Sequence, residues 1–284
     1  MKRSVSFRSY PIKVGASIGA SVANRSGEIP VHLVPVPALA DNYIWLLHDD
    51  KGNALVVDPG VAKPVETALS ERKLTLRAIL VTHHHYDHVD GIEELLKHHD
   101  VPVYSPHDPR IASTSHRVGD KDILELPEPS VRFCVTAVPG HTTTHVVYHG
   151  EGILFCGDAL FSMGCGRILE GTPGQMLASL DSIAKLPEDT LVCCAHEYTE
   201  VNARFANTVD PTNSALAIRI KSVSLLRADG RPTLPVPLSV EQATNPFLRV
   251  DSEGVIAWCE RHGANGDRIA RFAALRASKD TFSG

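Results

Sequence analysis

The residues from 82 to 88, Thr82-His83-His84-His85-Tyr86-Asp87-His88, hold the densest chemistry in the chain. Imidazole and carboxylate together are the usual ligands of zinc or iron. His83 and His85 stand two apart, so an extended backbone aims both rings at one point. Asp87 and His88 follow where the chain turns into a helix, and serve a second point nearby. His84 and Tyr86 take the alternate positions and face away. Three later segments each add a candidate ligand: His141 in Val138-Pro139-Gly140-His141-Thr142, Asp158 in Phe155-Cys156-Gly157-Asp158, and His196 in Cys194-Ala195-His196-Glu197-Tyr198.

Every one of these segments follows an apolar run that reads as a strand. Short β-type runs occur at 31–36, 44–48, 54–57, 78–81, 131–138, 146–148, 153–156 and 191–195. Ligands carried on several strand ends make a rigid site. Helical spacing falls at 63–73, from Asp90 with Glu93 placed for a capping box, and at 172–186. Beyond about residue 200 the strand signals fade, and 215–227, 255–261 and 267–279 read as helices. A loop with Pro232, Pro235 and Pro237 separates the first two, because proline cannot continue a helix. The expected organisation is an extension over 1–30, a mixed α/β catalytic domain over 31–200 and a small helical domain over 201–284.

The 284 residues are 43% hydrophobic and 21% charged, ordinary values for a globular protein. No apolar run nears the ~20 residues that span a bilayer. A net charge of −5 speaks against a general nucleic-acid binder. The 15 histidines include eight, His32, His48, His98, His99, His107, His116, His149 and His262, that read as ordinary surface or core residues. The six cysteines form no C-x-x-C pair, and the adjacent Cys193 and Cys194 read as reduced and buried, which fits a reducing compartment. Residues 1–30 set five Lys and Arg against the single acid Glu28. That composition is that of an organelle transit peptide or of a plain disordered extension, so the expected location is cytoplasmic, or mitochondrial if the extension targets the chain.

The motif series T-H-x-H-x-D-H, G-H-T, G-D and H-E-Y-T resembles the metallo-β-lactamase superfamily. The resemblance implies an αββα sandwich with metals at one edge. It implies that His83, His85 and His141 hold one metal, that Asp87, His88 and His196 hold another, and that Asp158 bridges them. Asp58, in Val57-Asp58-Pro59-Gly60, matches a residue that supports a ligand from behind. His145 matches a family histidine and is expected to support the site rather than ligate.

Further segments are similar to glyoxalase II, a glutathione thioesterase family: 38–43, Cys165-Gly166-Arg167 through Glu170-Gly171-Thr172, Asn245-Pro246-Phe247-Leu248-Arg249, and the tail 275–280. The resemblance maps glutathione contacts to Arg167, Tyr198, Arg276 and Lys279. Cationic donors suit the two carboxylates of that tripeptide. It implies two divalent ions, zinc before iron or manganese, and a monomer acting on a glutathione thioester without nucleic-acid or membrane partners. The implied reaction is hydrolysis of S-D-lactoylglutathione to glutathione and D-lactate by a metal-bridged hydroxide, with Asp87 and Asp158 catalytic. The alternative is a glutathione persulfide dioxygenase or another hydrolase of the superfamily. Leu169, Ala159, Asp90 and Thr144 depart from the family pattern without removing a ligand.

Overall fold

A computed structural model describes residues 20–22 and 31–283. The expectations for the rest of residues 1–30 lie outside those described. The first sheet is built from β1 (Ala20–Val22), β2 (Val31–Ala38), β3 (Asn42–Asp49), β4 (Asn53–Val57), β5 (Thr75–Leu80), β6 (Val103–Pro106) and β7 (His116–Val118), hydrogen-bonded in chain order. It is antiparallel up to β4 and parallel from there. Parallel steps need crossovers: α1 (Ala62–Arg72) lies in that from β4 to β5, α2 (Tyr86–Val89) and α3 (Ile92–Leu96) in that from β5 to β6, and a loop joins β6 to β7.

The second sheet takes β8 (Ile123–Pro127), β9 (Ser130–Ala137), β10 (Val146–Gly150), β11 (Ile153–Gly157), β14 (Leu191–Cys194) and β15 (Val236–Pro237). Between β11 and β14 lie the small hairpin β12 (Leu160–Phe161) and β13 (Gly164–Cys165), and α4 (Pro173–Ile183). The chain ends with α5 (Thr199–Val209), α6 (Ser214–Ala228), α7 (Leu238–Thr244), α8 (Glu253–Arg261) and α9 (Arg268–Asp280).

Alternation along the strands decides the layers. Tyr43, Trp45, Leu47, Leu55, Val57, Ala78 and Leu80 point between the sheets, against Phe133, Tyr148 and Phe155. Their neighbours Ile44, Leu46, Ala54, Val56 and Ile79 point outward, under Val65 and Leu69 of α1 and Ile92 and Leu95 of α3. Met176 and Leu180 of α4 and Phe272 and Leu275 of α9 join the core of the second sheet. Each buried Val, Leu, Ile, Phe or Met side chain among these stabilises the fold by ~1.5–3 kcal/mol. The result is helix, sheet, sheet, helix. Among the described residues no helix is long and apolar enough to cross a membrane.

The two sheets meet at one edge. Asn42 bridges His196, Tyr43 N donates to Ala195 O at 2.7 Å, and Trp45 Nε1 donates to Cys194 O at 2.9 Å. Buried Glu241 of α7 accepts from Ser162 Oγ (2.7 Å), Met163 N (2.8 Å) and Asn245 Nδ2 (3.1 Å), which pins the β12–β13 hairpin to the C-terminal helices. All six cysteines are free, five of them buried.

Several local expectations change. Asp90 does not open a helix: it sits in helical conformation (φ −64°, ψ −19°) as the C-cap of α2, and α3 starts after Gly91 with no side-chain cap. A capping side chain needs an extended backbone, which Asp90 lacks. A complete capping box forms instead at Thr172 and Gln175. Sequence periodicity passed over α5, α7, β6, β7 and β8. The strands among these are short and partly exposed, and α7 is seven residues that start immediately after Pro237.

Candidate metal centre

The loop after β5 turns inward because Asp58 holds it. Thr82 N and Thr82 Oγ1 each donate to Asp58 at 2.7 Å, one to each carboxylate oxygen. His83 then points its Nε2 to within 3.0 Å of His85 Nδ1, and His141 Nε2 approaches the same His85 atom at 3.0 Å. Asp158 stands beside them, with Oδ2 3.4 Å from His141 Nε2. These four form one cluster of ligand atoms within 4.8 Å of one another, and Asp87, His88 and His196 form a second. The other oxygen of Asp158, Oδ1, faces that second cluster, at 3.5 Å from His88 Nε2 and 3.3 Å from His196 Nε2. Asp87 Oδ2 lies 3.6 Å from His88 Nε2 and 3.4 Å from His196 Nε2.

All seven residues expected to bind metal therefore come together, and Asp158 lies between the two clusters with one oxygen toward each. His84 turns away toward Asp108 and Glu170, and Tyr86 is exposed. His145 stacks on His83 with ring centroids 4.6 Å apart, and its Nε2 accepts from Asp158 N at 3.2 Å. It positions two members of the site without entering either cluster. Gly157 precedes Asp158 at φ +48°, where a Cβ would come within 2.3 Å of Thr82 Oγ1.

The donor set fits divalent cations. Both His88 nitrogens and Asp158 Oδ1 are buried with no hydrogen-bond partner. Burial lowers the basicity of His83 strongly and that of His85 to about 4, with the neighbouring imidazoles adding to the effect. Neutral imidazole is the ligating form. At His88 burial also disfavours charge, but Asp158, Asp58 and Asp87 outweigh it and raise the ring to about 9. Burial likewise works against an ionised Asp158, and His88, His196 and His141 overcome it and hold the carboxyl well below its usual range. Negative and positive groups this close, in the absence of bulk water, are the environment a metal ion resolves.

Further contacts lie behind the ligands. His88 Nδ1 lies 3.1 Å from Asp58 Oδ2. Asp41 Oδ1 stands 2.8 Å from His196 Nδ1, and Asn42 Nδ2 donates to Asp87 Oδ2 at 3.0 Å. Spacing along the chain singles out neither residue, although both sit in the 38–43 segment that carries part of the family likeness. His83 Nδ1 pairs with Thr82 Oγ1 (3.1 Å), and His141 Nδ1 donates to Arg167 O (2.8 Å).

The four expected substrate contacts collect beside this edge in different states. Tyr198 stacks on His196, centroids 4.7 Å apart and 7° between planes. Burial and the nearby Asp41, Asp158 and Asp87 push its hydroxyl up, so it stays protonated and able to donate. Arg167 is exposed. Arg276 is buried: its Nη1 donates to Cys165 O at 2.7 Å, and its Nη2 pairs with Asp280 at 3.0 Å. Lys279 lies over the Phe205 and Phe282 rings. Its ammonium is lowered by burial, then by Arg276 and Arg167.

Residues 40–196 match the family described as the metallo-β-lactamase superfamily, a span of more than half the chain that contains all seven clustered residues. That is the class of protein this fold and edge define. Residues 197–282 match a second family, described as the hydroxyacylglutathione hydrolase C-terminus. The hydroxyacylglutathione hydrolase of Methylobacillus flagellatus is 48% identical over 88% of this chain and 99% of its own length. Among solved structures, ETHE1 from Myxococcus xanthus is similar in fold, with a TM-score of 0.57 and 24% identity over 84% of this chain and 93% of its own. So is TTHA1623, solved in a di-iron-bound form, with a TM-score of 0.55 and 23% identity over 75% of this chain and 99% of its own. The chain belongs to the hydroxyacylglutathione hydrolases, the glyoxalase II family.

Proposed function

We propose that this chain hydrolyses S-(2-hydroxyacyl)glutathione, chiefly S-D-lactoylglutathione, to glutathione and D-lactate. The observation that carries the reading is the split of Asp158 between two clusters of imidazoles, one oxygen toward each, immediately beside a group of cationic side chains. His83, His85, His141 and Asp158 would hold one divalent ion, and Asp87, His88, His196 and Asp158 a second. Zinc is the first choice, and iron or manganese suit the same donors. The ions would supply a water made acidic near neutral pH and a Lewis acid for the thioester carbonyl.

The chain's own residues do the rest. Asn42 fixes Asp87 so that its carboxylate can orient the attacking water and accept its proton. Tyr198 offers a protonated hydroxyl next to His196. Arg167 and Lys279 supply positive charge for the glutathione carboxylates, with Arg276 holding the hairpin that presents Arg167. When the carbonyl carbon takes the water oxygen, the carbon–sulfur bond breaks and the electron pair leaves with sulfur. A thiol of pKa about 8.5 leaves as thiolate without a strong acid. In this division residues 31–200 carry the chemistry together with Arg167 and Tyr198, and 201–284 complete the glutathione grip, in a cytoplasmic monomer.

The test is thioester hydrolysis with metal analysis on the same sample. The expected result is turnover of S-D-lactoylglutathione with two ions per chain, abolished by a chelator and restored by zinc. Turnover untouched by complete removal of metal would overturn the reading. One iron per chain, with oxygen uptake on glutathione persulfide in place of thioester turnover, would transfer the chain to the dioxygenase reading.

A further inference from the structure

Four of the five clustered imidazoles have a fixing partner outside the clusters: Thr82 for His83, Asp58 for His88, the Arg167 carbonyl for His141 and Asp41 for His196. His85 is the exception among the described residues, because its ring hydrogen bonds run only to His83 and His141. Apart from those two, the ring packed on it is His84, with centroids 4.7 Å apart at 65°. The orientation of His85 therefore depends on what holds His84.

His84 sits between two carboxylates, in close approach but with no hydrogen bond at its buried Nδ1. Its Nδ1 lies 3.3 Å from Asp108 Oδ2 and its Nε2 lies 3.7 Å from Glu170 Oε1. One guanidinium ties these acids together. Arg110 grips Asp108 with two prongs, Nε to Oδ1 at 2.8 Å and Nη2 to Oδ2 at 2.7 Å, and extends Nη1 to Glu170 Oε1. The Asp108 carboxylate is fully buried and takes a further bond from Thr144 Oγ1 at 2.6 Å. Glu170 reaches the His141 loop as well. Its Oε2 accepts from Thr143 N (2.8 Å) and Thr143 Oγ1 (3.0 Å), and its own N donates to His141 O (3.3 Å). The clamp thus touches the backbone of His141 and the ring beside His85. The supports of His88, Asp87 and His196 run through Asp58, Asn42 and Asp41 instead.

We propose that Arg110, acting through Asp108 and Glu170, is a positioning residue for the His83–His85–His141 cluster alone. The inference rests on the two-ion reading above. Loss of Arg110 weakens metal binding at that cluster by about 10–100-fold, the usual effect of removing an outer support, and leaves the Asp87–His88–His196 cluster filled. Lysine does not substitute, because one ammonium cannot fork onto Asp108 and reach Glu170 at the same time.

The experiment strips full-length protein with a chelator, reloads it with zinc and titrates it against a chromophoric chelator. Wild type, Arg110→Met, Arg110→Lys and Glu170→Gln are compared, with Arg268→Met as a control. Arg268 pairs with Asp181 and Asp251, away from both clusters. The expected result is two tightly held ions in wild type and in the control, and one tight and one weak ion in both Arg110 variants. Adding His85→Ala to Arg110→Met lowers the number of tight ions no further, whereas adding His88→Ala removes the remaining one. Equal retention of both ions in Arg110→Met, or parallel weakening of both, overturns the proposal. If Arg110→Met does not fold, Glu170→Gln carries the same test through the same contacts. A wild-type protein that binds fewer than two ions overturns the two-ion reading itself, whatever the variants do.

Discussion

Replacing Asp58 with asparagine exchanges one carboxylate oxygen for an amide NH2 and isolates one interaction. The carboxylate is buried and receives three groups: Thr82 N and Thr82 Oγ1 at 2.7 Å each, and His88 Nδ1 at 3.1 Å. Asparagine keeps an oxygen for Thr82 N, and the Thr82 hydroxyl can rotate to accept from the new amide. His88 has no such freedom. With Nε2 turned to the metal position, Nδ1 must carry a proton, and in the variant that N–H meets an amide NH2. The close approach of that N–H to a full negative charge is lost, and a buried donor then faces another donor, a cost of ~1–3 kcal/mol. At 1.4 kcal/mol per tenfold, roughly 10–100-fold is lost from metal affinity at the His88 cluster. The assay is chelator competition on the reloaded protein, with thermal melting of the metal-free form to follow folding. An Asp58→Asn protein that holds its metals as tightly as wild type would refute the argument that Asp58 orients His88.

Gly157→Ala should destabilise the protein by about 2 kcal/mol or more, because it combines a left-handed backbone with a Cβ 2.3 Å from Thr82 Oγ1; thermal melting of the metal-free form measures it. Arg276→Ala should raise KM far more than it lowers kcat while leaving metal content intact, since the lost bonds go to Cys165 O and Asp280 rather than to a ligand. An unchanged KM would remove Arg276 from the substrate side. Glu170 is lowered from 4.5 to about 2, first by its hydrogen bond from Arg110. A depressed carboxylate adds stability that is complete above pH about 4.5 and fades toward about 2. The difference in denaturation midpoint between metal-free wild type and Glu170→Gln should therefore be constant near neutrality and shrink as pH falls through that window.

Much of the site was legible in the chain itself. His83, His85, Asp87 and His88 are neighbours in sequence, so the local geometry of a strand end and a helix start already groups them. His141, Asp158 and His196 each follow an apolar run, and a strand end is a place where an exposed, well-held side chain can point at a shared edge. The alternation in β2 to β5 likewise assigns side chains to the two faces of a buried sheet, because the pleat sends successive residues to opposite sides.

Tertiary structure alone decided the pairings. Asp41 meets His196 across 155 positions and Arg110 meets Glu170 across 60, distances over which no local periodicity carries information. Helical spacing by itself puts Arg276 on a solvated face, and the fold buries it, because packing of α9 beside the β12–β13 hairpin closes that face over Cys165 O. Spacing along a chain specifies which side chains share a face. Which partner that face meets depends on how the layers pack.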